Sequence, residues 1–165
     1  MSIQTGLIAE LKHEAAATKR LLEKVPAENN TWKPHEKSMA LGRLATHIAE
    51  TPQWITRILA ADEFDFSAHR FTPVTAATNE ELLTIFQTNI DAAAASLEAA
   101  TLDTFDKIWT VKSGGTIYYQ LPKKVAIRGW ACSHLYHHRG QLSVYLRLLN
   151  IPVPGMYGPS ADEGM

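Results

Sequence analysis

Three histidines fall within five positions in the run His134-Leu135-Tyr136-His137-His138-Arg139-Gly140-Gln141, in a chain that holds only seven. On a helix, His134 and His138 stand one turn apart on the same face. Neutral imidazole is a common metal ligand, and an i, i+4 pair can reach a single ion. Such pairs also arise by chance, so the spacing calls for a third ligand from elsewhere in the chain. His47 is the histidine that the helical pattern also turns inward, since it shares a face with Leu44, Thr51, Trp54 and Ile58. A lone inward histidine is more often a hydrogen-bonded core residue than a ligand. Three converging imidazoles are different, because they bind a divalent ion and leave coordination positions open. Such an ion lowers the pKa of a bound water or holds a thiolate, which makes hydrolysis and thiol transfer both accessible. The residues alone do not choose between them.

The surroundings of these histidines narrow the chemistry further. Position 135 is Leu, so the His-Glu-x-x-His pattern of a metalloprotease is absent. Gln141 lies about one turn beyond His138 on the same face and can hydrogen-bond a ligand or a bound water. Glu14, if it faces inward, can accept from an imidazole N–H. His137 falls off the shared face and reads as a supporting or surface residue, while His13, His35 and His69 read as exposed. Gly140 inside a helix costs roughly 1 kcal/mol relative to alanine, which points to close helix packing there.

The elements that position these residues follow from hydrophobic period and punctuation. Leu7, Leu11, Ala15, Thr18, Leu22 and Val25 recur at helical spacing over Ile3 to Val25, and Pro26 ends that run. A polar loop follows to Lys37, with Ser38 placed as an N-cap. A second helix runs from about Met39 to Ala60, kinked at Pro52. Asp62 to Thr78 lacks any period and reads as a long loop. Thr78-Asn79-Glu80-Glu81 forms a capping box before a third helix that ends near Ala100. Ile108 to Val111 and Thr116 to Tyr119 flank Ser113-Gly114-Gly115 and read as a short hairpin packed on the helices. A fourth helix starts near Pro122 and continues to about Leu149, and the tail from Ile151 is non-helical. On the fourth helix Ile127, Ala131, His134, His138, Gln141, Leu142 and Tyr145 share one arc, so both histidines face the bundle interior. The most economical architecture is all-α, a four-helix bundle with one long crossover and a small β-hairpin before the last helix.

Composition bounds the rest. A chain of 165 residues, 45% hydrophobic and 20% charged, is the size and make-up of one domain, 1–165, with a single core. A net charge of -1 with scattered basic residues argues against nucleic acid as a partner. No apolar stretch approaches the roughly 18 residues of a membrane span, and the N-terminus lacks the pattern of a signal peptide, so the expected location is cytoplasmic, away from the membrane. The single cysteine, Cys132, cannot form an internal disulfide and leaves any metal site to nitrogen and oxygen ligands. Neither a Rossmann fingerprint nor a P-loop is present.

Three segments in order, Leu41-Gly42-Arg43-Leu44-Ala45-Thr46-His47-Ile48-Ala49-Glu50, His134-x-x-His137-His138-Arg139-Gly140-Gln141 and Tyr157-Gly158-Pro159-Ser160-Ala161-Asp162-Glu163, resemble the DinB/YfiT-like family. Trp32-Lys33-Pro34 and Lys112-Ser113-Gly114-Gly115 add to the likeness, which spans nearly the whole chain. The resemblance implies a bundle of up-down-down-up type, usually a homodimer, with a divalent metal bound by His47, His134 and His138. It further implies a thiol-dependent S-transferase or isomerase activity of the kind that uses mycothiol, bacillithiol or glutathione, with a low-molecular-weight thiol or another small molecule as substrate. The expected function is a metal-dependent transferase or hydrolase, with Zn or Ni as first choices and Fe, Mn or Cu also suited to three imidazoles. The competing expectation is a non-catalytic metal-binding or stress-response module.

Overall fold

A computed structural model describes residues 2–69 and 72–163 of the chain. Helix α1 spans Ile3–Leu22, and its first turn is capped by the Ser2 hydroxyl, which accepts from the Thr5 N–H at 3.1 Å. Leu7, Leu11, Thr18, Leu21 and Leu22 form its buried stripe. The helix stops short of the expected Val25. Lys24 and Val25 instead donate to carbonyls three residues back, the tighter winding that commonly closes a helix before a proline.

Helix α2 is Leu41–Glu50 and begins three residues after Ser38, so Ser38 is not its cap. The cap residue is Ala40, whose side chain accepts nothing. Two loop carbonyls do the work instead: Trp32 O takes the Leu41 N–H at 2.9 Å and Asn30 O takes the Gly42 N–H at 3.1 Å. The approach is close at Gly42, where an added Cβ would lie 2.5 Å from the Asn30 side chain. The single kinked helix expected around Pro52 is two helices, α2 and α3, the latter covering Gln53–Ala60. Pro52 has no N–H to offer the Ile48 carbonyl, which takes the Thr51 N–H at 3.3 Å instead.

The segment expected as one long loop contains a strand, β1, Glu63–Asp65. It pairs in parallel with β2, Ile108–Ser113, in the register Glu63↔Thr110 to Asp65↔Lys112. Strand β2 also pairs antiparallel with β3, Thr116–Pro122, so the hairpin is the rest of a three-stranded sheet of order β1-β2-β3. The fold is therefore mostly helical with a small sheet. Its hairpin turn passes through Gly114 at φ 55°, a conformation that glycine adopts without strain. Trp109 and Val111 of β2 point into the core.

Helix α4, Asn79–Ala99, is capped by Thr78, whose hydroxyl accepts the Glu81 N–H at 3.1 Å. The Glu81 carboxylate accepts from the Ala77 N–H at 2.7 Å and not from Thr78, a one-residue shift of the expected box. α4 packs against α1, α2 and α3. The last helix opens with α5, Lys123–Ala126, passes through a π-helical stretch, Ile127–Ser133, and continues as α6, His134–Leu148. α6 packs against α2 and α1. Leu44, Ile48, Phe86, Leu97 and Leu142 meet in the common core. Among the described residues no helix is long and apolar enough to cross a membrane.

The tail folds back over α1 and α6. Asp162 accepts from the Val153 N–H at 2.8 Å and pairs with Arg147, while Glu163 accepts from the Gly155 N–H at 2.9 Å. Tyr157 reaches Glu14 and Arg139. Arg139 and Glu14 form a buried ion pair at 2.7 Å that ties α6 to α1.

Candidate metal centre

His47 reaches the centre from α2, and His134 and His138 from the start of α6. One ligand atom from each lies within 4.8 Å of the others. The Nε2 atoms of His47 and His134 are 3.1 Å apart, close to the separation of about 3.4 Å that two nitrogens need on one tetrahedral ion with bonds near 2.1 Å. All three rings meet edge-on or tilted, with centroids 4.6 to 4.9 Å apart. The three residues singled out from helical spacing are thus brought together.

The hydrogen bonds show which nitrogen each ring presents. The Trp130 carbonyl can only accept, so the His134 Nδ1–H donates to it at 3.3 Å and leaves Nε2 bare. His138 Nδ1 donates to Gln141 Oε1 at 2.7 Å, which again leaves Nε2 bare. Gln141 therefore orients a ring of the cluster, as its place one turn past His138 suggested. His47 differs. Its Nδ1 faces Arg43 Nη2 at 3.5 Å, so its Nε2–H is the donor to His134. Ligation through His47 Nε2 needs the other tautomer, with the Arg43 guanidinium, already bonded to Glu50 at 2.7 Å, giving up that nitrogen.

Electrostatics keeps the rings neutral. Burial is the first cause that holds His47 down to about 4, reinforced by the charges of His138, His134 and Arg43. Burial also lowers His134 against the pull of the Trp130 carbonyl, and lowers His138 against that of Gln141. Neutral imidazoles are the form a divalent ion requires, with Nε2 already bare on His134 and His138 and bared on His47 by the change of tautomer. The donor set fits such an ion.

The other candidates fall elsewhere. Glu14 is buried as expected, but it is engaged by Arg139 and by the Tyr157 hydroxyl at 3.1 Å, and it meets no imidazole. A buried arginine is a stronger partner for a buried carboxylate than a neutral ring. His137 is exposed, and only its ring edge touches His138. Gly140 is exposed and has nothing within 4 Å of a built Cβ, so close helix packing is not its reason. The Cys132 thiol is pushed up to about 11, chiefly by burial, and faces Glu10 and Tyr136 in a separate small cavity. It stays protonated and away from the histidines.

A cavity of about 450 Å³ opens onto His47 and His134. Its wall is aromatic: Trp54, Phe64, Phe66 and Trp130, with ring centroids 5.0 to 6.2 Å apart in succession. Arg57, Glu50, Gln53 and His69 supply its polar groups. Sequence reasoning missed most of these. Arg43 and Glu50 carried a signal, since they lie four residues before and three after His47 on one helix. Phe64, Phe66 and His69 carried none, because the segment that holds them acquires its position only by pairing with β2. His69, read as an exposed residue, is exposed but stacks on Phe64 at 4.5 Å.

The model of the DinB family matches residues 1–164. Among solved structures, a DinB-like protein from Bacillus subtilis superposes with a TM-score of 0.71 at 20% identity, covering 94% of this chain and 99% of that one. A DinB-like protein from Bacillus cereus gives 0.72 at 19% identity, covering 93% and 97%. At these identities the likeness is one of fold. No curated protein matches the chain.

Proposed function

The chain belongs to the DinB family, and on that footing we propose that it is a metal-dependent transferase or hydrolase whose ion is held by His47, His134 and His138. The observation that carries this reading is the convergence of three neutral imidazoles beside a 450 Å³ cavity. A divalent ion bound there, Zn or Ni before Fe, Mn or Cu, supplies Lewis acidity toward a water or a low-molecular-weight thiol. The protein's own residues do the positioning. Gln141 and the Trp130 carbonyl fix the tautomers of His138 and His134. Glu50 holds Arg43 away from full engagement with His47. The aromatic wall excludes water from one side of the reacting groups.

The finer architecture belongs to the same proposal: one domain over 1–165 with its helices in the up-down-down-up order, assembled as a homodimer in the cytoplasm.

The test is metal titration of protein purified without an affinity tag, followed by a turnover screen over thiols and electrophiles. The expected result is one ion per chain, lost in His47→Ala, His134→Ala and His138→Ala alike. Unchanged binding in those variants refutes the site. Stoichiometric metal with no thiol ligation and no turnover would favour the non-catalytic module.

A further inference from the structure

The cavity beside the histidines also carries information about charge. Arg57, at its rim, directs Nε and Nη2 to Gln53 Oε1 at 3.2 and 2.8 Å, and its Nη1 makes no hydrogen bond among the described residues. Its guanidinium carbon lies 5.4 Å from the Trp54 ring and 5.5 Å from the Phe64 ring, so the exposed side chain lies across the aromatic wall at the cavity rim. No carboxylate among the described residues pairs with it. Glu50 is the one acidic side chain among the described residues that line the cavity, and Arg43 already neutralises it at 2.7 Å. Because Gln53 Oε1 accepts twice from Arg57, the Gln53 amide N–H groups are turned to other acceptors. Arg57 and Gln53 thus offer adjacent donors at the mouth of a pocket whose body is apolar.

From this arrangement we infer that the cavity takes a small organic anion with an aromatic or branched apolar body, its carboxylate on Arg57 and Gln53 and its body against Trp54, Phe64 and Trp130. Arg57 keeps Nη1 uncommitted, and that nitrogen together with the neighbouring Gln53 amide can donate to the two oxygens of a carboxylate head. The volume of about 450 Å³ lies in the range of pockets that enclose small ligands. A cationic ligand fits poorly, since Arg57 already lies over Trp54 and Phe64 and repels a second positive charge there. The inference deepens the proposed function by naming its substrate class, and it is tested without the metal so that the two can fail separately.

Three probes of one shape, 3-phenylpropionate, 3-phenylpropionamide and 3-phenylpropylamine, are titrated calorimetrically into chelator-treated, metal-free protein. The expected order has the acid tightest, the amide about ten- to a hundredfold weaker, and the amine weakest. Arg57→Gln should bring the acid down to the amide's affinity and leave the amide unchanged. Phe66→Ala, at an exposed wall position, should weaken acid and amide equally. Equal binding of all three, tighter binding of the amine, no binding of any, or acid binding unchanged in Arg57→Gln would each overturn the inference. A protein that binds the acid through Arg57 yet takes up no metal keeps the inference and loses the metal centre. One that takes up metal but ignores the probe's charge does the reverse.

Discussion

Replacing Arg139 with methionine isolates the one ion pair among the described residues in which both partners are buried. Arg139 is 2% exposed and Glu14 8%. The guanidinium donates to the Glu14 carboxylate at 2.7 Å, to the Thr18 hydroxyl at 3.0 Å and to the Glu14 carbonyl at 3.3 Å, and it also meets the Tyr157 hydroxyl. Methionine fills much of the same volume but leaves Glu14 buried with only the Tyr157 hydroxyl for company. Removing one partner of a buried pair costs about 3–5 kcal/mol, most of it from the charge left behind. With an unfolding entropy of about 2.1 cal/mol/K per residue, this chain has about 0.35 kcal/mol/K in all, so Tm should fall by about 9–14 °C. Urea denaturation followed by circular dichroism, together with calorimetry, measures both quantities. The double variant Glu14→Leu/Arg139→Met removes the stranded charge and should recover at least half of the loss. A loss below about 1 kcal/mol in the single variant, or additive losses in the double, would show that the pair is not desolvated as the burial implies.

Three further outcomes are expected. Gln141→Leu removes the acceptor of His138 Nδ1–H, and metal affinity by titration should drop about 10- to 100-fold with the fold intact; an unchanged affinity would mean that the ring is oriented by packing alone. In metal-free protein, His47 titrates near 4 when folded against 6.5 when unfolded, so the unfolded chain binds more protons between those values. Stability should be level above pH 6.5 and fall as pH drops from there toward 4, with His134 and His138 shifted in the same direction and His47→Gln making the slope shallower; urea midpoints that stay flat down to about pH 4.5 would contradict this. Gly140→Ala should stabilise the protein by about 0.5–1 kcal/mol, because nothing lies near the added methyl and alanine is the better helix former; a destabilised variant would reveal a contact at that face.

Local rules made the helices and the three histidines legible. Leu7, Leu11, Thr18 and Leu22 had to share a stripe, Thr78 had to cap α4, and His134 and His138 had to face the same way, because a 3.6-residue period and a capping hydroxyl act within a few positions of one another. The start of α2 was beyond such rules, since its first N–H groups are satisfied by the carbonyls of Asn30 and Trp32 and by no side chain of its own. Strand β1 was beyond them too. Glu63-Phe64-Asp65 is too short to show a period, and it becomes a strand only because β2, some forty residues on, offers it an open edge.

The type and facing of the three clustered histidines were therefore set by the sequence itself, through helical spacing. Only the tertiary structure decided what they face. It brought Phe64, Phe66 and His69 to the cavity that opens onto His47 and His134, gave Glu14 to Arg139, and placed Arg57 at the cavity mouth. Those choices depend on pairings between distant segments, and the energy of a hydrogen-bonded edge or a buried charge pair exists only once both partners are in place.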